Sequence, residues 1–125
     1  MKIKKSWLRQ NFGSRITTWE QRSDALGLIS DVIIDQDLVE ILDYWEGCCA
    51  YCGVELDELL HFDHAIPLNE KFVDEGIPLN CIANLVPSCP KCNIQKSDKH
   101  YEEFATTNTI AYIENWQIMK SEELI

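Results

Sequence analysis

The chain has 125 residues, of which 46% are hydrophobic and 26% are charged, a composition typical of one small globular domain. It contains no apolar run near the ~20 residues needed to cross a bilayer, which argues against a membrane protein. The first residues lack the apolar segment of a secretory signal. Because six cysteines without such a signal favour a reducing compartment, we expect a cytoplasmic location.

Positive charge is concentrated in two regions of an otherwise acidic chain. The net charge is −10, which is unfavourable for contact with nucleic acid. Residues 1–22, the N-terminal arm, contain six basic residues against one acidic residue, a local net charge of +5, so the remaining 103 residues carry −15. We expect any DNA contact to come from the arm and from a small basic group near the last cysteines, although a solvated surface is an open alternative for the arm. The residues concerned are Lys4, Lys5 and Arg9 in the arm and Lys91, Lys96 and Lys99 in the second group.

The first 47 residues are predicted to be helical. Apolar residues of the arm lie roughly on one helical face, with a break expected near Gly13. These residues are Trp7, Leu8, Phe12, Ile16 and Trp19. Aromatic side chains at helical spacing usually belong to the core, so packing onto the body is favoured over contact with nucleic acid. A second helix, capped by Asp35, is predicted to run to Glu46 and to stop at Gly47.

The central segment is predicted to contain two short strands and a helix. Leu59 to Ile66 has strand character, residues 69–80 read as a loop, and residues 84–87 form the second strand. Ser88 is expected to cap a helix that begins near Pro90. A last helix, capped by Asn108, is predicted near the C-terminus. The fold class is therefore α+β, with helices flanking the core, and the predicted segments are residues 1–47, 48–104 and 105–125.

Two Cys-x-x-Cys pairs, separated by 36 residues, are typical of one tetrahedral zinc site. The proposed ligands are Cys49, Cys52, Cys89 and Cys92. Cys48 could replace Cys49, but the spacing of Cys49 matches that of the second pair. Cys81 has no partner at ligand spacing. The alternative is a set of free thiols in the core.

Three short motifs lie between and after these cysteines. Asp63-His64 is followed by Pro67, Asn84 begins Asn-Leu-x-Pro-x-Cys, and the second pair continues as Cys-Asn-x-x-Lys-Ser-Asp. Each motif alone is weak evidence of function. In this order, and bracketed by cysteine pairs, residues 49–99 resemble the HNH endonuclease family. The resemblance implies a ββα-metal fold, in which two strands and a helix hold a catalytic metal ion.

The resemblance also implies a role for each matching residue, in an H-N-N variant of the family pattern. His64 corresponds to the general base, and Asn84 to the asparagine that orients this base and braces the loop. Asp63 and Asn93 correspond to ligands of a divalent ion, Mg²⁺ or Mn²⁺. Lys96 corresponds to a lysine near a phosphate of the substrate. Outside these positions, His61 and His100 are weaker candidates for the site, with a surface location favoured for His61 because it lies on the strand face opposite His64.

These observations predict a metal-dependent endonuclease or nickase that hydrolyses phosphodiester bonds in DNA. A neutral histidine can accept a proton near pH 7, and a carboxylate with an amide oxygen leaves most of the coordination sphere of a hard cation open. The first alternative is a non-catalytic acidic zinc module that acts through a protein partner supplying DNA binding. The second is a zinc-binding regulator that reads DNA without cutting it.

Overall fold

A computed structural model describes residues 3–73 and 78–107, so the helix predicted from Asn108 lies outside the described residues. Four α-helices and one two-stranded antiparallel sheet are present in this part of the chain. They are α1 (Lys5–Ala25), α2 (Asp35–Tyr44), β1 (His61–His64), β2 (Leu85–Ser88), α3 (Pro90–Lys96) and α4 (Tyr101–Thr107), with 3₁₀ turns at Glu70–Phe72 and Ile82–Asn84. The α+β class and the order strand, strand, helix are confirmed. No described helix is long and apolar enough to span a membrane.

The strands form a hairpin in which His61 lies opposite Ser88 and His64 opposite Leu85. Side chains alternate along β1, so that Phe62 and His64 are buried and the other two residues are partly exposed. The alternation places Asp63 and His64, although adjacent in sequence, on opposite faces of the strand. Helix α3 packs against β1 and follows β2 directly.

Helix α1 lies against one face of β1 and is anchored there by aromatic rings. The Phe12 ring meets Phe62 edge-on, with 5.0 Å between ring centroids, and Trp19 meets His64 in the same way at 5.3 Å. Trp7 packs on Phe12 at 6.0 Å. The aromatic residues of the arm therefore belong to the core, as their helical spacing favoured.

The predicted break near Gly13 is wrong, because α1 continues through this residue without interruption. A glycine inside a helix costs only about 1 kcal/mol relative to alanine. The aromatic contacts on both sides of Gly13 fix the same helix against the sheet, and packing of this kind outweighs a loss of that size.

The two predicted helix caps that lie within the described residues are each shifted by one residue. The residue before α2 is Ile34, whose N–H donates to the Asp37 carboxylate at 2.8 Å, while Asp35 forms an ion pair with Arg9 at 3.2 Å. Ser88 lies in β2, and Cys89 takes the capping position of α3. The Asp37 carboxylate thus bonds the N–H of the residue that precedes α2, and Cys89 Sγ accepts from the Cys92 N–H in the first turn of α3.

Candidate active site

The two cysteine pairs come together in one group, which we call the four-cysteine cluster (Cys49, Cys52, Cys89 and Cys92). All four Sγ atoms lie within 4.8 Å of one another, and those of Cys52 and Cys89 are 3.8 Å apart. A zinc ion with Zn–S bonds of about 2.3 Å would place its sulfurs about 3.8 Å apart at the corners of a tetrahedron. The cluster can therefore hold a metal ion of this size. Cys48 lies outside it and donates to the Glu46 carbonyl at 3.5 Å.

Backbone contacts fix the two halves of the four-cysteine cluster relative to the sheet. The first pair lies in a tight turn closed by the Gly53 N–H on the Cys49 carbonyl at 2.9 Å, and Gly53 takes a φ of +81°, which glycine adopts without strain. The Ala50 N–H donates to the Pro87 carbonyl of β2. The second pair opens α3, where the Cys92 N–H donates to Cys89 Sγ at 3.4 Å. The cluster thus joins the turn to the corner between β2 and α3.

Two cysteines of the cluster, Cys49 and Cys92, are poor thiolates unless a cation is present, whereas at Cys89 the effect of burial is outweighed by hydrogen bonds from the neighbouring cysteines, which lower the pKa. Burial raises the pKa of the Cys49 thiol, and burial together with the neighbouring Cys49 charge raises the pKa of Cys92 well above its ordinary range. A bound cation supplies the positive charge that offsets this cost, which is why metal binding to such a set releases protons.

His64 is buried, with 7% of its surface exposed, and its ring is held by an asparagine. Its Nε2 atom lies 2.8 Å from the side-chain oxygen of Asn80. Because an amide oxygen only accepts, Nε2 carries the proton, and Nδ1 keeps its lone pair. Burial lowers the pKa of His64 to about 4, against smaller upward effects of Asn80 and of the Asp63 charge. The imidazole is therefore neutral at pH 7.

Asn84 braces the loops around His64 and, within the described residues, forms no hydrogen bond with the His64 ring. Its Nδ2 donates to the carbonyls of Ile66 and Leu79, both at 2.8 Å, and its Oδ1 accepts from the Ile66 N–H at 2.9 Å. The loop-bracing part of the expected role fits this geometry, whereas the group that orients the ring is Asn80. Sequence reasoning missed Asn80, because separation along an irregular loop carries no information about distance to His64.

Asp63 lies on the other face of β1, in a network with a buried lysine. Lys96, whose side chain is 0% exposed, places its ammonium 2.9 Å from Asp63 Oδ2 and donates to the His64 carbonyl at 3.1 Å. The same carboxylate oxygen accepts from the Tyr51 hydroxyl at 2.5 Å. The expected contact of Lys96 with a DNA phosphate is not the observed arrangement, since burial in this ion pair leaves its ammonium no surface.

Two oxygen-bearing side chains, Asp63 and Asn93, have ligand atoms without a hydrogen bond among the described residues. The Asp63 carboxylate has about four lone-pair sites, and the described residues bond only its Oδ2. Asn93 is half-buried on α3, three residues before Lys96 and so on the same helix face, and its side chain makes no hydrogen bond within the described residues. Carboxylate and amide oxygens are ligands that Mg²⁺ and Mn²⁺ prefer, so the chemistry of the two groups fits a divalent ion.

The remaining predicted contact residues differ in exposure. Lys4, Lys5 and Lys91 are exposed, Lys99 is partly buried, and Arg9 is exposed but paired with Asp35. Of the other histidines, His61 is partly exposed, and burial lowers its pKa, aided by the charge of Arg15. His100 accepts from the Glu102 N–H at 3.1 Å and so supports the start of α4.

Residues 49–99 match the family model of the HNH endonuclease. A protein of Bacillus subtilis (strain 168), described as "SPbeta prophage-derived putative HNH endonuclease YoqL", is 28% identical over 75 residues, which cover 58% of this chain and 33% of the relative. The chain thus matches about a third of the length of this curated relative. The Type II-C Cas9 enzyme of Actinomyces naeslundii is a structural neighbour, with a TM-score of 0.48 and 24% identity over 83% of this chain and 10% of that one. The family match falls on residues 49–99, the segment whose motifs predicted a resemblance to the HNH endonuclease family.

Proposed function

We propose that this chain is a metal-dependent endonuclease or nickase that hydrolyses phosphodiester bonds in DNA. The observation that carries the proposal is the state of His64, a neutral imidazole whose protonated nitrogen is held by Asn80 and whose other nitrogen is unbonded among the described residues. Such a nitrogen is suited to take a proton from water. The match of residues 49–99 to the HNH endonuclease family supports the same chemistry.

Each residue of the site has a part in this proposal. Nδ1 of His64 accepts the proton of the attacking water, and Asn80 keeps the ring in the tautomer that leaves Nδ1 free. Asp63 and Asn93 would hold a Mg²⁺ or Mn²⁺ ion, which supplies positive charge to the phosphate and to the leaving oxygen. Lys96 balances the charge of Asp63 inside the protein.

The four-cysteine cluster is proposed to bind one Zn²⁺ ion with a structural role. Four thiols complete a tetrahedron and leave no position for water or substrate, which distinguishes structural from catalytic zinc sites. By joining the turn at residues 49–52 to the start of α3, the ion would fix the helix that carries Asn93 and Lys96 against β1.

Cleavage of supercoiled plasmid tests the proposal directly. The purified, zinc-loaded chain should convert supercoiled to nicked or linear DNA with added Mg²⁺ or Mn²⁺ and not without an added divalent ion. His64→Gln should lose about 10²–10⁴ in rate, as expected for a general base. His61→Gln, on the opposite strand face, is the matched control and should cut at the parent rate. Equal cutting by parent and His64→Gln would remove His64 from the chemistry.

A second candidate function is a non-catalytic acidic module that acts through a protein partner. The observation that favours it is the acidic excess outside the N-terminal arm, −15 over 103 residues, together with the burial of Lys96 and the pairing of Arg9 with Asp35. The loop after α1 also exposes Ile29 (87%) and Val32 (86%) to solvent. Absence of cutting under all metal conditions, by a folded protein with zinc bound, would favour this second function.

A further inference from the structure

The Asp63 carboxylate is held by two side chains that come from the two halves of the four-cysteine cluster. Tyr51 lies inside the turn of the first pair, residues 49–52, and its hydroxyl donates to Asp63 Oδ2 at 2.5 Å. Lys96 lies on the helix that the second pair opens, and its ammonium is 2.9 Å from the same oxygen. The distance between the two donors therefore depends on the closure of the cluster.

Neither donor is placed to meet a substrate. Tyr51 and Lys96 are both fully buried. The Tyr51 ring is fixed from α4 by an edge contact with Phe104, at 5.5 Å between centroids, and the Lys96 ammonium lies 5.9 Å from the centroid of the Tyr51 ring. The Tyr51 hydroxyl is the donor of this pair, because a carboxylate oxygen only accepts.

Lys96 extends the network to the residue next to Asp63. Its ammonium also donates to the His64 carbonyl at 3.1 Å, so one buried cation contacts both residues of the Asp-His pair. A buried lysine with no partner would be costly, and here the carboxylate and the carbonyl satisfy two of its three donors. The main chain of β1 and the Asp63 side chain are thus fixed relative to α3.

We propose that Tyr51 and Lys96 are positioning residues, which hold the Asp63 carboxylate between the two halves of the four-cysteine cluster and turn its second oxygen toward the divalent cation. The inference rests on the proposed function, because it assigns the cation to Asp63. Removing a donor that hydrogen-bonds a metal-binding side chain commonly lowers the metal affinity by about 10–100-fold. If the Tyr51 hydroxyl bonded Asp63 only to satisfy its own hydrogen-bonding need in the core, its removal would leave the metal affinity unchanged.

Tyr51→Phe removes one oxygen atom and keeps the ring, so the packing on Phe104 is retained. Tyr101→Phe, which alters another buried tyrosine on α4, is the matched control. Two measurements are made on zinc-loaded protein without DNA. The first is Mn²⁺ affinity, from the electron paramagnetic resonance signal of the free ion. The second is the ¹³C NMR signal of the Asp63 carboxyl carbon. Zinc content and the unfolding temperature are recorded for each variant.

We expect Tyr51→Phe to bind Mn²⁺ about 10-fold more weakly, to shift the Asp63 carboxyl signal and to keep its zinc, while Tyr101→Phe matches the parent. Unchanged Mn²⁺ affinity and an unchanged Asp63 signal in folded Tyr51→Phe would overturn the inference. If the parent itself neither binds Mn²⁺ nor cuts DNA, the proposed function fails, and the Asp63 signal alone then decides whether Tyr51 positions the carboxylate. Should Tyr51→Phe lose zinc, its role is structural and the inference is likewise wrong.

Discussion

The side-chain oxygen of Asn80 lies 2.8 Å from Nε2 of His64 and determines which nitrogen of the ring is free. Asn80 is itself held on both sides. Its carbonyl accepts from the Asp31 N–H at 3.0 Å, and the preceding residue, Leu79, is bonded by the Asn84 side chain at 2.8 Å. Asn84 therefore affects His64 indirectly, because it holds the loop that positions Asn80.

Replacing Asn80 with aspartate should move the pH dependence of DNA cutting. In the parent, the His64 pKa of about 4 keeps the base neutral, so the rate should show no inflection near pH 6.5 that belongs to His64. A carboxylate at position 80 favours the charged imidazolium and raises this pKa. We expect Asn80→Asp to lose activity below neutral pH and to regain it as the pH rises. The measurement is the rate of plasmid nicking from about pH 5.5 to about pH 8.5, a range that spans the ordinary histidine pKa.

The control for this change is Asn69→Asp. Asn69 is partly buried and accepts from the Lys71 N–H at 3.0 Å, a contact that aspartate can keep. Its pH profile should coincide with that of the parent. If Asn80→Asp also coincides with the parent, Asn80 does not set the protonation of the base.

Local sequence patterns predicted the strands and helices of the core. The features that these patterns did not predict depend on contacts between residues that are distant in sequence. The strand character of residues 59–66 and the position of Pro90 predicted β1 and α3, which the structure places at His61–His64 and Pro90–Lys96. The continuity of α1 through Gly13 depends on rings that meet β1, which no spacing within the arm reveals.

The same distinction holds for the site. Cysteine spacing predicted the cluster, because each pair needs only a two-residue turn. The contact of Asn80, rather than Asn84, with the His64 ring depends on how a loop lies against β1. The burial of Lys96 beside Asp63 depends on how α3 lies against the same strand. The motif order identifies these residues as neighbours but contains no information on which side chain faces which.

Cys49 and Cys48 provide a matched pair for testing the metal cluster. Cys49→Ser removes a thiol of the four-cysteine cluster, whereas Cys48→Ser changes an adjacent thiol that lies outside it. Because a structural zinc contributes folding free energy directly, we expect Cys49→Ser to lose zinc and cooperative unfolding. Cys48→Ser should retain one zinc per chain and an unfolding temperature near that of the parent. Elemental analysis and thermal unfolding provide both quantities, and zinc loss in Cys48→Ser alone would reassign the ligand.

His64 should make the stability of the fold depend on pH. Its pKa is about 4 in the folded chain and about 6.5 in the unfolded chain, so the unfolded state binds more protons between these values. The contribution is complete above pH 6.5 and is lost as the pH falls through 4. Relative to His64→Gln, which does not titrate, the parent should lose about 2–3 kcal/mol of unfolding free energy between about pH 7 and about pH 4.5. Urea unfolding at the two pH values measures this difference, and equal losses in both proteins would show that His64 is not buried neutral.

His64→Ala is a poor substitute for His64→Gln in these experiments. In the structure the ring is buried, packs on Trp19 and bonds Asn80. Truncation to alanine leaves a cavity and an unpaired buried amide, which together cost about 2–4 kcal/mol. A loss of cutting in His64→Ala would then combine loss of the base with loss of the fold.

DNA affinity should depend on the exposed lysines Lys5 and Lys91. Deletion of the arm cannot test this, because its aromatic residues anchor α1 in the core and their removal would unfold the domain. Single charge reversals avoid the difficulty. We expect weak binding to a short duplex. Each of Lys5→Glu and Lys91→Glu should make the slope of log K against log salt shallower by about 0.9 for each phosphate that the variant no longer neutralises.

The control is Lys71→Glu, which replaces an exposed lysine outside both basic regions and changes the net charge equally. Fluorescence anisotropy at several salt concentrations, without divalent ions, measures the slopes. If all three variants shift affinity equally and leave the slope unchanged, neither lysine touches DNA. The acidic surface would then act only through long-range repulsion, and the DNA would have to be held by a partner.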